Sequence, residues 1–416
     1  MAIRDLDLNL TPEQKSLRDL IRKFGAEVVR PAGIALDKLP DPADVIAKGS
    51  VLWEVYRRFR ELGLHKAAIP KTAGGMMGEI DDLAQVLMIE EMGYADAGLA
   101  IGFGVDSMPF ALAALSPDPE LQGWARAYCE DTRGELIGCW AITEPDHGSD
   151  WILAHLEENR GAPITPQVRA VLKGDEYLIN GQKSAWVSNG TIATHASLHV
   201  SLDPARGLEG TGIAVVRLDL PGISRGKPLD KMGQRPLNQG EIFFEEVKIP
   251  KNWMVFPDPP VLKAFREVSL AKVNGGMGIV FAGLAKAAFD EAFRYAQERV
   301  QGGKPIFEHQ NIKLKLFKMF SRVEATRALT RRMALYNAVA MPPSGPHAIA
   351  AKVLATESAF RVASEAIQIF GGSGLSREYP LEKMFRDARA SMIEDGVNET
   401  LALAAMELMS SGTNTT

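Results

Sequence analysis

Two cysteines in 416 residues, Cys129 and Cys139, are too few for a disulfide framework. No Cys/His spacing matches a zinc site, and a reducing, intracellular setting is the simpler reading. An excess of positive charge is also missing. Lys and Arg number 47 against 52 Asp and Glu, a formal net charge of −5, which excludes a general attraction to nucleic acid or anionic lipid. No uncharged run is long enough to span a bilayer. The opening MAIRDLDLNL carries charges where a signal peptide needs an apolar core. These absences predict a cytoplasmic protein. No internal repeat or low-complexity block is visible. What is present is 46% hydrophobic and 24% charged residues, an ordinary globular composition with enough chain for two or three packed units.

Hydrophobic periodicity divides the chain into three stretches. Thr11-Pro12-Glu13-Gln14 reads as a helix start with a capping box, and Leu17, Leu20, Ile21, Phe24 and Val28 follow at helical spacing. Residues 38–50 read as a polar loop, and further helices are expected over 51–63, 80–95, 97–116 and 118–132. After about residue 136 short strands take over. Asn180-Gly181, between strand-like runs in 177–183, predicts a hairpin turn, and the alternation through Val216, Leu218, Leu220, Val247 and Ile249 predicts a half-buried sheet. Residues 153–168 read as a surface excursion. From 261 the pattern is helical again, with helices expected over 261–299, 308–340, 346–370, 381–393 and 397–410. Short connections between long amphipathic helices suggest an antiparallel bundle. The predicted class is α+β multidomain: an N-terminal helical domain over 1–135, a central β-barrel-like or sandwich domain over 136–258, and a C-terminal four-helix bundle over 259–416.

Five strings carry candidate chemistry. The first, Ala141-Ile142-Thr143-Glu144-Pro145 with Gly148-Ser149-Asp150, reads as a strand ending in a loop of hydrogen-bonding groups. A polar planar ligand fits such a place, although capping of the next helix is the plainer reading. Trp186-Val187-Ser188 offers a ring and a hydroxyl that can cover and bond a flat group; a core Trp on a strand is the alternative. Lys231-Met232-Gly233-Gln234-Arg235 follows. Then Arg299, beside Gly302 and Gly303 and upstream of Gln310, can clamp a phosphate or simply favour its own helix dipole. Finally, Gln368 to Gly372, with Gly371-Gly372, permits close backbone approach to a ligand or ends a helix.

Taken in this order across helical, strand and helical regions, the strings resemble the acyl-CoA dehydrogenase family over nearly the whole chain. The resemblance implies an FAD-dependent oxidoreductase that oxidises an acyl-CoA thioester to the 2-enoyl-CoA, in fatty acid or other carboxylic acid degradation. It implies that Ile142, Thr143, Trp186 and Ser188 line the isoalloxazine, with the Ser188 hydroxyl near flavin N5. Arg299, Gln310, Gln368, Gly371 and Gly372 would hold the pyrophosphate and adenine of an adjacent subunit's FAD, hence a homodimer or homotetramer. Ser149 would touch the CoA moiety, and electron-transfer flavoprotein would accept the electrons.

The family's base is a Glu followed by Gly and Thr. Here the matching segment is Glu394-Asp395-Gly396-Val397, and the ungapped position falls on Asp395, with Glu394 its rival if the register slips by one. The other place at which family members carry the base corresponds to Val273. Aspartate is shorter than glutamate by about 1.5 Å, and a misplacement of about 1 Å can cost roughly 100-fold, so the substrate must be presented differently. Three further departures are Gly302 in place of a Phe, Val397 in place of the Thr, and one extra residue between Lys183 and Trp186. Asn274-Gly275-Gly276-Met277-Gly278 is lean for a helix lining an acyl pocket; room for a bulky, branched or alicyclic group and close helix packing explain it equally well. Asn274 is a candidate substrate contact. Asp106 reads as a surface or capping residue, or as a second carboxylate at the pocket. The alternatives to a dehydrogenase are a flavin oxidase of the nitroalkane oxidase type, which also carries Asp at the base position, and a binding protein with a decayed site.

Overall fold

A computed structural model describes residue 6, residues 9–153 and residues 164–410; the core of the expected surface excursion, 154–163, lies outside the described residues. The chain enters through α1 (Pro12–Phe24), whose capping box forms as expected: the Thr11 hydroxyl accepts from the Gln14 N–H, and Gln14 Oε1 accepts from the Thr11 N–H. A π-turn leads into α2 (Arg30–Asp37). The expected polar loop at 38–50 contains one helical turn, α3 (Pro42–Val45), capped by Asp41. Then come α4 (Val51–Glu61), α5 (Asp82–Ala95), α6 (Ala97–Asp106), α7 (Met108–Leu115) and α8 (Pro119–Glu130). The expected single helix over 97–116 is therefore two, parted at Ser107 just ahead of Pro109.

Eight strands form one sheet: β1 (Gly138–Ala141), β2 (Arg169–Lys173), β3 (Glu176–Lys183), β4 (His195–Ser201), β5 (Thr211–Arg217), β6 (Ile223–Arg225), β7 (Ile242–Pro250) and β8 (Met254–Phe256). The order is β6-β7-β3-β2-β4-β5-β8, with β1 laid parallel on β4. One expectation fails here for an identifiable reason. Asn180-Gly181 is not a hairpin turn: the turn joins β2 to β3 at Gly174-Asp175, and β3 runs on through the Asn-Gly pair. The pair instead forms an irregularity against β7, where Asn180 Oδ1 accepts from the Glu246 N–H and Glu246 has a φ of 49°. The expected alternation is present: Val216 and Leu218 are buried while Arg217 and Asp219 are exposed, and Val247 and Ile249 are buried on either side of exposed Lys248. β4 is buried throughout and β5 to within its last residue.

The last third holds α9 (Pro259–Glu298), a two-residue strand pair β9 (Val300–Gln301) and β10 (Lys304–Pro305), then α10 (Gln310–Val339), α11 (Gly345–Phe370), α12 (Leu381–Ser391) and α13 (Asn398–Ser410). The short connections make α9, α10 and α11 antiparallel. One apolar core runs from the N-terminal helices into the sheet, and a second fills the bundle. Helix α5 joins them by lying on α9 at close range: a Cβ on Gly93 would meet the Val280 carbonyl oxygen at 2.1 Å, and one on Gly283 would meet the Glu90 carbonyl oxygen at 2.1 Å. Ala97–Leu115 and Val261–Glu298 are long and apolar enough to cross a membrane by length and composition, but 72% and 67% of their apolar windows is buried inside this fold.

Candidate active site

The loop between α12 and α13 carries Glu394 and Asp395 side by side, with several bonds tying down the residues around them. Glu394 continues the turn after α12 through its N–H to the Ala390 carbonyl at 3.2 Å, and its carboxylate accepts from Gln234 Nε2. The Gly396 carbonyl accepts from Lys352 Nζ at 2.7 Å. The Val397 N–H donates to the Ser149 hydroxyl at 3.0 Å. Asn398, the first residue of α13, accepts from Lys352 Nζ at 2.8 Å and donates to the Thr356 hydroxyl at 3.0 Å. Asp395 stands at φ 52°, a left-handed conformation that a residue with a Cβ adopts at some cost. Among the described residues its carboxylate has no hydrogen-bond partner.

This asymmetry separates the two acids. Burial pushes the Asp395 carboxyl up to about 6, with the Lys352 ammonium pulling the other way. Burial also raises Glu394, and the neighbouring Asp395 charge adds to the effect, but Glu394 is engaged by Gln234. The lysine opposite them, Lys352, is itself pushed down to about 8 by burial on α11. Both acids are thus raised toward the working range of a base, Glu394 to about 7 and Asp395 to about 6, and the carboxylate left without a partner is what sets Asp395 apart.

The sheet side of the site is built from the ends of β1 and β3. The carbonyl of Ile142 accepts from Lys183 Nζ at 3.1 Å, and that of Thr143 accepts from the Ser184 N–H at 2.9 Å, so both residues are fixed while their side chains stay half-buried. Beneath them Glu144 and Lys183 form an ion pair of 2.6 Å with no solvent exposure. Glu144, which the sequence offered as a loop acid, is a structural anchor: it also accepts from the Val168 N–H at 3.1 Å. The extra residue after Lys183 is absorbed in a turn, Ser184 to Val187, which puts Trp186 outside the sheet and 58% exposed. A core Trp on a strand is excluded. Ser188 follows, its hydroxyl accepting from Gln239 Nε2 at 3.2 Å, while Gln239 Oε1 accepts from Lys231 Nζ at 2.7 Å.

The residues of the two glycine-rich strings gather elsewhere. Arg299 follows α9, Gln310 opens α10, and Gln368, Gly371 and Gly372 close α11; all five are exposed at one end of the bundle. Tyr295 stacks on Phe370 there at 3.8 Å between ring centroids. This end lies roughly 27 Å along α11 from Lys352, so these residues and Asp395 occupy opposite ends of the bundle. Gly302 has a reason to replace an aromatic residue: with Gly303 it makes the tight turn between β9 and β10 at φ 64° and 80°, where a bulky side chain is strained.

One candidate must be corrected. Asp106 is neither at the surface nor at the pocket. It is fully buried, 2.7 Å from the Arg60 guanidinium, and accepts from the Tyr128 hydroxyl at 2.9 Å and the Gly138 N–H at 3.0 Å, which joins α4, α6 and α8 to β1. Asn274 is fully buried on α9, where its Nδ2 donates to the Leu270 carbonyl at 2.9 Å and its Oδ1 has no partner among the described residues. Val273 beside it is half-buried and carries no acid. The lean stretch shows close packing at two of its glycines and free space at the third. A Cβ at Gly278 would lie 3.2 Å from the Ala351 backbone, and one at Gly275 would lie 3.2 Å from the Met333 methyl, whereas Gly276 faces open space.

Sequence reasoning assigned no role to Gln234, Gln239 or Lys231, and it passed over Lys352. The first and third stand in a string that had been singled out. Lys352 had a visible signal, a single cation in the apolar run Ala348 to Ala355.

Comparison with known proteins agrees with this architecture. The N-terminal, middle and C-terminal domains of acyl-CoA dehydrogenase match residues 11–116, 139–247 and 269–409. The chain is 31% identical over 405 residues to a probable acyl-CoA dehydrogenase of Bacillus subtilis, covering 95% of this chain and 97% of that one. It is 31% identical over 396 residues to cyclohex-1-ene-1-carbonyl-CoA dehydrogenase of Geobacter metallireducens, covering 94% and 96%. The structure of butyryl-CoA dehydrogenase from Megasphaera elsdenii superimposes with a TM-score of 0.82 at 28% identity, covering 97% of this chain and all of that one. With three successive domains matched and relatives aligned end to end, the chain belongs to the acyl-CoA dehydrogenase family, whose members are FAD-dependent oxidoreductases.

Proposed function

We propose that this acyl-CoA dehydrogenase uses Asp395 as the base that removes the α-proton of an acyl-CoA thioester. The observation that carries the reading is the carboxylate without a partner among the described residues, raised to about 6, beside a Glu394 carboxylate, a Gly396 carbonyl and a Val397 N–H that are all engaged. The conserved chemistry of the family is α,β-dehydrogenation to the 2-enoyl-CoA, and an ionised carboxylate in a dry site suits the proton half of it. Asp395 takes the proton onto a carboxylate oxygen and holds it away from bulk water. The backbone N–H of the base residue can polarise the thioester carbonyl, as the family resemblance implies.

The residues of the sheet edge fit a flat, acceptor-rich ring. Trp186 offers an exposed indole, the Ser188 hydroxyl keeps its proton for donation because it accepts from Gln239, and the Thr143 hydroxyl has no protein partner among the described residues. Ile142, Thr143, Trp186 and Ser188 would line the FAD isoalloxazine, and bound FAD supplies the two-electron acceptor for the β-hydride. Arg299, Gln310, Gln368, Gly371 and Gly372 would hold the distal part of an FAD from a second copy of the chain, which makes a homodimer or homotetramer the working assembly. Ser149 lies within reach of the CoA arm. Electron-transfer flavoprotein is the expected acceptor. The space at Gly276 and the short base favour a branched or alicyclic acyl group.

The test is a panel of acyl-CoA thioesters added to the yellow protein under anaerobic conditions. Bleaching by one class of thioester, with slow reoxidation by air, is expected. Rapid reoxidation by air, or bleaching by a nitroalkane instead, would replace the dehydrogenase with an oxidase.

A further inference from the structure

The buried lysine on α11 has more contact with the base loop than a packing role requires. Lys352 has no exposed surface, and among the described residues no carboxylate lies within ion-pair distance of it. Its ammonium instead donates to the Gly396 carbonyl at 2.7 Å and to Asn398 Oδ1 at 2.8 Å, on either side of Val397. Thr356, one turn further along α11, donates to the Lys352 carbonyl at 2.9 Å and accepts from Asn398 Nδ2 at 3.0 Å. The loop held in this way contains two consecutive left-handed residues, Asp395 at φ 52° and Gly396 at φ 101°. A non-glycine residue stays in that region only where its surroundings hold it there. Burying an ammonium is costly without strong compensation. Two short bonds to a strained loop beside an acid are such compensation.

We propose that Lys352 is a positioning residue for the reaction: its ammonium clamps the Gly396 carbonyl, holds Asp395 in its left-handed conformation, and keeps the carboxylate ionised by its charge. This rests on the reading of Asp395 as the base. The charged groups around the pair are few. Lys352 faces Asp395, Glu394 and Glu399; Glu394 in turn faces Lys231; and the part of α9 packed on Lys352, at Gly278, is uncharged. Burial alone would leave Asp395 higher still, and Lys352 is the cation that opposes it.

Two variants of the purified holoenzyme test the proposal. Lys352→Met removes charge and donor, and Lys352→Gln removes the charge but keeps an N–H. In both, the acid limb of the kcat profile is expected to move up by about one pH unit, a loss of about fivefold at pH 6, with KM for the thioester nearly unchanged. Lys352→Gln should retain more kcat at high pH than Lys352→Met. Independently, the protonation of Asp395 followed by isotope-edited infrared difference spectroscopy should shift by the same amount. A fall in kcat or in folded yield with an unmoved profile and an unmoved Asp395 titration overturns the proposal and leaves Lys352 a packing residue. If Lys352→Met does not fold, Lys352→Gln decides alone. An Asp395 titration that moves while Asp395→Asn retains full activity instead refutes the base assignment and leaves the Lys352–Asp395 coupling standing.

Discussion

The hydroxyl of Ser149, on the loop after β1, accepts a 3.0 Å hydrogen bond from the backbone N–H of Val397, two residues past Asp395. The sheet is thereby stitched to the base loop of the bundle. Because the hydroxyl is used as an acceptor, its proton remains available to a ligand, so a CoA contact and a loop contact are compatible. Ser149→Ala removes one bond of about 1 kcal/mol and should lower kcat about fivefold through a looser Asp395. Steady-state kinetics separates the roles: a rise in KM at constant kcat would leave only the CoA contact.

Glu394 and Asp395 should respond differently to loss of charge. Asp395→Asn is expected to abolish anaerobic flavin bleaching by at least about 10³-fold while flavin stays bound. Glu394→Gln keeps a partner for Gln234 and should cost about tenfold or less. Stopped-flow absorbance of the two variants checks this, and the reverse order would move the base one residue upstream.

The pH dependence follows from the raised carboxyl. Activity needs the carboxylate, so kcat should rise with pH through about 6. Stability runs the other way. An acid whose folded pKa lies above its unfolded value stabilises the fold while protonated, and that contribution is lost as pH rises through the folded pKa. Asp395→Asn should therefore melt higher than the wild type at pH 8, by roughly 1–2 °C, with the difference shrinking as pH falls through about 6 and vanishing only below about pH 4, the unfolded aspartate range. Thermal melts of holoenzyme across this pH range read this directly.

Legibility tracked the range of the interaction. Helices were readable because capping and periodicity are local: Thr11 and Gln14 announce α1, and the long bundle helices begin and end close to where their apolar spacing does. The candidate base was readable only through the family resemblance, which puts the family's Glu position on Asp395, a short way after Arg386-Asp387-Ala388. Asp106 was not readable, since its meaning depends on Arg60 and Tyr128, on other helices. Asn180-Gly181 misled because the same dipeptide serves a turn or a bulge, and only the pairing with β7 decides. Lys352 stood in plain view, but a lone lysine acquires a role only when the loop it bonds is brought to it.

The ion pair of Arg60 and Asp106 should behave as structure, not chemistry. Neither side chain has any exposure. Removing one partner leaves a buried charge uncompensated, which costs about 3–5 kcal/mol. Arg60→Met is thus expected to lower the urea midpoint sharply, and the folded fraction should keep its KM for thioester. A KM effect with unchanged stability would return Asp106 to the substrate pocket.

Gly276 and Gly278 give a paired test of the acyl pocket. Both are on α9, where alanine is better than glycine by up to about 1 kcal/mol. At Gly278 a Cβ would crowd the Ala351 and Lys352 backbone at 3.2–3.3 Å, so that gain should be cancelled or reversed as α9 and α11 are pushed apart. At Gly276 nothing lies within 4 Å, so Gly276→Ala should be neutral or stabilising. If that space holds the acyl chain, Gly276→Val should lower kcat/KM for branched or alicyclic thioesters about tenfold while sparing short straight ones, because a filled pocket discriminates by about 1–3 kcal/mol per methylene. Equal loss on every thioester would mean that Gly276 faces solvent, and the acyl pocket would have to be sought on another face of α9.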